Sequence, residues 1–303
     1  MINMKFITEK DVENNLRMKE LMDILEDAFV EYGEGRADAS PRDRLFTGSA
    51  FLNTMPAYID KYGIAGLKTY VAGVNGAKFV VMFSLTEDPE NFFVVEANRL
   101  GQMRTGALPG MVSRKLLKDH KSDVKFLLIG SGYQAETQLE SMKIALDLDE
   151  AAVYSRTTAH AEEFAKKMRE KLSMDIRVEN NRENFRNYNV INSVTNAKDP
   201  VITEKNAPEY YHMNLIGANL LNRREVSSDV MRSSDLVIVE HMGQAMLESA
   251  EIQDVNGSEK LMELKDFIRE GPIQSRRSVF KTMGIGLEDI VAGYLVVKNM
   301  GLI

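Results

Sequence analysis

The chain has 303 residues, 44% hydrophobic and 27% charged, with 38 Lys and Arg against 45 Asp and Glu, a net charge of −7. That composition is globular and long enough for one or two domains; it rules out whole-chain disorder, collagen and coiled coil, and its acidic balance argues against a nucleic-acid partner. With no cysteine, the chain has no disulfide, thiolate metal site or cysteine nucleophile. No apolar run approaches the roughly 18 residues of a spanning helix, and Met1–Lys5 leads into a charged amphipathic segment without a secretory apolar stretch. A soluble cytoplasmic protein with no membrane partner is expected.

Val12, Leu16, Leu21, Leu25, Ala28, Phe29 and Tyr32 fall near one face of a single helix. Thr8 and Asp11 have the spacing of a capping box ahead of it, and Gly33 and Gly35 end it. Between Ser49 and Val95 the apolar runs are short (Ile64–Val71, Lys78–Leu85 and Phe92–Val95) and separated by Gly, Asn, Asp and Pro, which predicts strands of an α+β sheet. A helix is expected over Arg104–Leu117, kinked or started late by Pro109. From Val124 the pattern changes to strand–helix alternation. Strands are expected at Lys125–Ile129, Ala151–Tyr154, Val190–Ile191, Met213–Ile216 and Leu236–Val239, with helices over Gln134–Leu148 and Ala159–Leu172. Such alternation builds a parallel sheet. Asp119–Ser122 and Arg276–Lys281 read as linkers, and Leu287–Met300 as a terminal amphipathic helix.

The segment Gly130-Ser131-Gly132-Tyr133-Gln134-Ala135 is G-x-G-x-x-A between an apolar strand and a helix. That context places a pyrophosphate on a helix N-terminus: Gly130 for the tight turn, Gly132 for close approach of the backbone, Ala135 for helix–sheet packing. Without its context the pattern is only a tight turn. At the end of the next strand a carboxylate usually takes the ribose 2′-hydroxyl of NAD; here stands Ser155-Arg156-Thr157. A guanidinium between two hydroxyls suits a 2′-phosphate, so NADP is favoured over NAD. The same triplet also reads as a solvated turn that leaves NADH accepted. Thr195 and Asn196, after the strand ending near Val194, are candidates for the cofactor edge or a plain loop.

Arg44, Lys68 and Arg104 sit in apolar or turn-rich surroundings. A buried cation needs a partner, and a substrate carboxylate would supply one; singly, each also reads as a surface or ion-paired residue. Six segments occur in order: Met55–Tyr58, Gly66–Thr69, Met103–Ala107, Ile129–Ala135, Leu215–Ala218 and Val279–Gly284. In these the chain resembles the ornithine cyclodeaminase/mu-crystallin family, over nearly its whole length. The resemblance implies an α/β fold: a Rossmann-type parallel-sheet domain (residues 120–280) inserted into an α+β substrate-binding and dimerisation domain made from both chain ends (1–119 and 281–303). It also implies a homodimer and a small amino or imino acid as substrate. The carboxylate would be held by Arg44 (or its neighbour Arg42), Lys68 and Arg104, with Met55 close by, and Lys68 would supply the proton.

One departure bears on chemistry. Where cyclodeaminases of the family carry an Asp base after Ile-Gly-Ala, this chain has Asn219, which cannot take a proton at physiological pH. Cyclodeamination needs that base; hydride delivery to a ready-made imine needs only a carboxylate clamp, a nicotinamide and a proton donor. The expectation is an NAD(P)H-dependent reductase or dehydrogenase acting on a cyclic ketimine, or on pyruvate plus ammonia, with ornithine cyclodeaminase as the alternative. Glu96-Ala97-Asn98 departs from the family's usual Asp-Gly in a turn. His120, His160, His212 and His241 lack metal-ligand spacing, and no metal is expected.

Overall fold

The computed structural model describes residues 3–74, 76–119, 123–271 and 273–303; His120 and part of the linker expected at Asp119–Ser122 lie outside them. The chain forms two compact units, Met1–Ala107 with Gly284–Ile303, and Leu108–Met283. The first division falls inside a helix, upstream of the change of pattern in the sequence.

The first unit contains β1 (Asn3–Ile7), α1 (Glu9–Asn15), α2 (Met18–Gly33), β2 (Ala37–Ala39), β3 (Asp43–Phe46), β4 (Ala50–Ile59), β5 (Ile64–Gly73), β6 (Gly76–Leu85) and β7 (Asn91–Glu96). The start of α3 (Asn98–Leu116) belongs to it, and α10 (Gly286–Asn299) closes it. Its seven-stranded sheet runs β1-β7-β6-β5-β4-β2, with β3 beside β4; only β1 and β7 pair in parallel. The Thr8–Asp11 capping box is formed. The single helix expected from Val12 to Tyr32 is two helices, because Arg17 turns extended at φ −115°. Its guanidinium donates to the carbonyls of Glu13, Asn14 and Leu16, closing the end of α1. Likewise α3 begins six residues before Arg104 and carries Pro109 within it. The reason is tertiary: the Glu9 carboxylate accepts from the backbone N–H of Asn98 (2.7 Å) and Arg99 (2.9 Å) and caps the helix from another element.

The second unit contains β8 (Phe126–Ile129), α4 (Ala135–Leu146), β9 (Glu150–Tyr154), α5 (Thr158–Leu172), β10 (Asp175–Val178), β11 (Val190–Ser193) and β12 (Tyr211–Leu215). There follow α6 (Ser228–Ser233), β13 (Leu236–Val239), α7 (Met242–Glu248), α8 (Ala250–Gln253), β14 (Leu261–Glu263), α9 (Leu264–Glu270) and β15 (Arg277–Lys281). The eight strands pair in parallel in the order β10-β9-β8-β11-β12-β15-β13-β14. Arg276–Lys281, expected as a linker, is thus largely a central strand: Ser278 to Lys281 are buried between β12 and β13. Its apolar pair Val279-Phe280 was too short to stand out.

A chain of buried polar side chains crosses the second unit. The Asn192 amide donates to Gln138 Oε1 (2.9 Å), and the Asn214 amide donates to Asn192 Oδ1 (2.7 Å) and Ser113 Oγ (3.1 Å). His212 bonds Ser113 and Ser278 through its two ring nitrogens, at 3.0 Å each. Burial pushes the His212 imidazole down to about 4, so it is neutral at pH 7. It is a structural histidine.

Candidate functional site

Lys68 lies on β5, opposite Met55 on β4 and Val81 on β6. It is 4% exposed, and a buried ammonium needs anions or dipoles around it. Its Nζ donates to Asp289 Oδ1 on α10 at 3.0 Å and lies 4.9 Å from the Phe79 ring centroid. Arg104, on α3 and 6% exposed, donates from Nε to the same Asp289 Oδ1 (3.1 Å) and from Nη1 to Glu288 Oε2 (2.7 Å). Gly284 permits this close packing: at φ +76° it has the glycine conformation, and a Cβ there would stand 2.1 Å from Arg104 Nη1. Burial lowers the Lys68 ammonium to about 8; Asp289 opposes the shift, and the cations Arg104 and Arg42 add to it. The ion-paired reading of Lys68 and Arg104 is therefore realised within the protein itself.

Arg44 is placed differently. It stands on β3, whose four residues are all exposed, opposite Asn53. Arg42 is half-buried and donates from Nε to Met55 Sδ at 3.5 Å. The Arg42 charge is among those that act on Lys68.

In the second unit the glycine turn joins β8 to α4. Gly130 has φ +118°, and a Cβ there would meet Val194 O at 2.6 Å, so only glycine fits. At Gly132 nothing lies within 4 Å of where a Cβ would stand, leaving the backbone open to approach. Ala135 is fully buried at the start of α4, whose N-cap Gln134 makes no side-chain cap bond. Gln134 Oε1 is buried and has no hydrogen-bond partner among the described residues, and Tyr133 is exposed. An open glycine backbone and an uncapped helix start fit a dinucleotide's pyrophosphate, while the Gln134 Oε1 acceptor calls for a donor such as a ribose hydroxyl. Ser155 is half-buried and Arg156 and Thr157 exposed just past β9. Arg182, from a 3-10 turn (Arg182–Asn187), donates to the Tyr154 hydroxyl at 2.9 Å, adding a second guanidinium at that strand end.

Sequence reading missed Glu225, fully buried in the same unit. Its Oε1 accepts from Ser193 Oγ (2.7 Å), Thr195 N (2.7 Å) and Thr195 Oγ1 (3.0 Å); its Oε2 accepts from Gly217 N (2.7 Å). One carboxylate thereby fastens the loops after β11 and β12, and half-buried Asn219 lies two residues beyond Gly217. Burial raises the Glu225 carboxyl, and the Lys281 ammonium, the Ser193 hydroxyl and the backbone N–H groups of Thr195 and Gly217 work against it. Lys281 is fully buried on β15, and among the described residues its Nζ has no hydrogen-bond partner. Asp289 carried no local signal, since Lys68 and Arg104 are distant in the chain, and the local capping contact of Glu288 with Ile285 does not foretell its bond to Arg104. Among the described residues no group of three or more His, Cys, Asp or Glu could hold a metal, and no helix is long and apolar enough to cross a membrane.

Known proteins resemble this chain end to end. It is 26% identical over 312 residues to an alanine dehydrogenase of Archaeoglobus fulgidus, covering 97% of this chain and 94% of that protein. A delta(1)-pyrroline-2-carboxylate reductase of Bacillus cereus is 31% identical over 238 residues, 74% of this chain and 71% of the relative. The structure of the Thermococcus litoralis delta(1)-pyrroline-2-carboxylate reductase, in complex with NADH and L-proline, superposes with a TM-score of 0.88 at 24% identity, covering 98% of this chain and 97% of the other. The likeness shows a shared fold. Residues 3–301 match the ornithine cyclodeaminase/mu-crystallin family, and the chain belongs to that family.

Proposed function

We propose that this protein is an NAD(P)H-dependent oxidoreductase that interconverts a small α-imino acid, such as a cyclic ketimine carboxylate, and the corresponding amino acid. The observation that carries the reading is the buried cation pair Lys68–Arg104 tied together at Asp289 Oδ1. Arg104, with Arg42 or Arg44, anchors the substrate carboxylate; the planar guanidinium suits that anion. Lys68 gives its proton to the reacting centre, and an ammonium titrating near 8 is well matched to proton transfer around neutral pH. When bound, the dinucleotide supplies the hydride. Gly130, Gly132, Gln134 and Ala135 would receive its pyrophosphate, Thr195 its nicotinamide end, and Ser155, Arg156 and Thr157 the ribose phosphate that favours NADP. Asn219 offers hydrogen bonds without accepting a proton, which favours reductase over lyase.

The proposed assembly is a cytoplasmic homodimer. One face of the first unit's sheet presents Met4, Phe6, Tyr58 and Val71 exposed, with half-buried Leu67, Met82, Phe92 and Val94 between them by register. So broad an apolar face suits a second copy of the chain.

The test is oxidation of NADPH and NADH against a panel of cyclic imines and of 2-oxo acids with ammonia. Turnover of one of these, with NADPH preferred, is expected. Failure with all of them, together with proline and ammonia formed from ornithine and NAD without added reductant, would replace the reductase by the cyclodeaminase.

A further inference from the structure

We propose that Asp289 is a positioning residue for the proposed reaction: it fixes Lys68 beside Arg104 and keeps it an ammonium able to donate. This rests on the reading of Lys68 as proton donor. Asp289 is fully buried on α10, and a single oxygen, Oδ1, accepts from Lys68 Nζ at 3.0 Å and from Arg104 Nε at 3.1 Å. Proton donor and carboxylate anchor thus share one reference point. The other oxygen, Oδ2, is buried and, among the described residues, has no hydrogen-bond partner to draw charge away from the Lys68 side.

Among the described residues, the other main influences on Lys68 disfavour the ammonium or are nearly neutral to it. Arg104 on α3 and Arg42 before β3 are like charges. The Phe79 ring centroid on β6 and the Tyr70 ring centroid on β5 lie 4.9 and 6.0 Å from Nζ; they offer a weak cation–π attraction in place of water. A Cβ at Gly101 on α3 would stand 3.6 Å from Nζ, so the helix backbone closes that side. Among the described residues Asp289 is the one carboxylate bonded to Lys68, while Glu288 bonds Arg104 and the backbone N–H of Ile285. Removal of the Asp289 charge should leave Lys68 neutral at neutral pH, whereas removal of the Glu288 charge should loosen Arg104 and spare Lys68.

The experiment follows the lysine Cε resonances of 13C-labelled protein against pH, without substrate, the Lys68 signal being assigned by its loss in Lys68→Met. The wild type is expected to titrate near pH 8. Asp289→Asn, which conserves size, should lower that midpoint by a pH unit or more, and Glu288→Gln should leave it in place. In turnover, the basic limb of the kcat–pH profile should move with the midpoint in Asp289→Asn, about tenfold in rate per pH unit on that limb. Glu288→Gln should raise KM for the acid instead. A Lys68 midpoint unmoved or raised in Asp289→Asn overturns the proposal. Should that variant not fold, Arg104→Gln tests the same geometry. It leaves Asp289 to Lys68 alone, so the midpoint must rise, and a fall refutes the assignment. Absence of turnover on every acid tried would count against the reaction and not against the titration, so the two failures are separable.

Discussion

Replacing Glu225 by Ala removes a carboxylate that is fully buried and accepts four hydrogen bonds, from Ser193 Oγ, Thr195 N, Thr195 Oγ1 and Gly217 N. The vacated space leaves two backbone N–H groups without their acceptor. It also strips the buried Lys281 ammonium, which has no hydrogen-bond partner of its own among the described residues, of a compensating charge. One unsatisfied buried donor costs about 1–3 kcal/mol, and the stranded ammonium, in Coulombic range of Glu225 but not in direct contact with it, adds less than the about 3–5 kcal/mol of a broken contact pair. Because these losses share one cavity they do not add, and about 4 kcal/mol is the expected loss. Against a typical total of about 5–15 kcal/mol this is a large fraction. Urea unfolding followed by circular dichroism reads it as a lower midpoint at unchanged slope. The discriminating variant is the double mutant Glu225→Ala/Lys281→Met, in which no ammonium is stranded. It should regain stability relative to Glu225→Ala alone. A single mutant within about 1 kcal/mol of wild type, well below that expected loss, or a double mutant less stable than it, would show that the carboxylate does not balance Lys281. Dinucleotide affinity should fall in Glu225→Ala, because Thr195 and Gly217 lose their common tether; a Cβ at Gly217 would stand 1.7 Å from Thr195 O, so these segments have no slack for reseating.

Acid should weaken the fold through His212. Its folded value of about 4 lies below its ordinary 6.5, so the unfolded chain binds a proton in that window and the folded chain does not. The linked stability is full above pH 6.5 and is lost as pH falls to 4, by about 3 kcal/mol. Urea midpoints of wild type and His212→Gln at pH 7 and pH 4.5 should differ in their pH response, and parallel responses would exclude the histidine as the source. Arg156→Asp should weaken NADPH about 10- to 100-fold, the scale of a lost charge-assisted bond, and spare NADH; equal loss of both means that Arg156 does not read the 2′-phosphate. Arg104→Lys should raise KM for the acid about tenfold, since an ammonium cannot reproduce the Nε and Nη1 fork that meets Asp289 and Glu288. Met82→Asp, in the middle of the apolar sheet face, should turn the proposed dimer into a monomer on light scattering after gel filtration, and an unchanged mass would move the interface elsewhere.

What could be read from residues alone was whatever the chain settles locally. The Thr8–Asp11 capping box, the strands β5 to β7, the strand–turn–helix around Gly130 and the terminal helix α10 depend on neighbours a few positions apart, so pattern and turn chemistry sufficed. Lys68 and Arg104 were legible as cations in apolar surroundings, yet their partners were not. Asp289 meets Lys68 across 221 positions and Arg104 across 185, and sequence spacing carries no information at such separations. The same holds for Glu9, which caps α3 from 89 residues away and so decides where that helix begins, and for Glu225, whose donors come together only once β11 and β12 lie side by side. β15 escaped notice because a central parallel strand is recognised by the two strands that flank it. The distinction between Arg42 and Arg44 was likewise tertiary: two positions apart, one turns toward Met55 and the other out on β3. Short-range preferences therefore specified the elements, and the long-range pairing of buried charge, which lowers free energy only once each unit's own core has formed, decided which residues share a site.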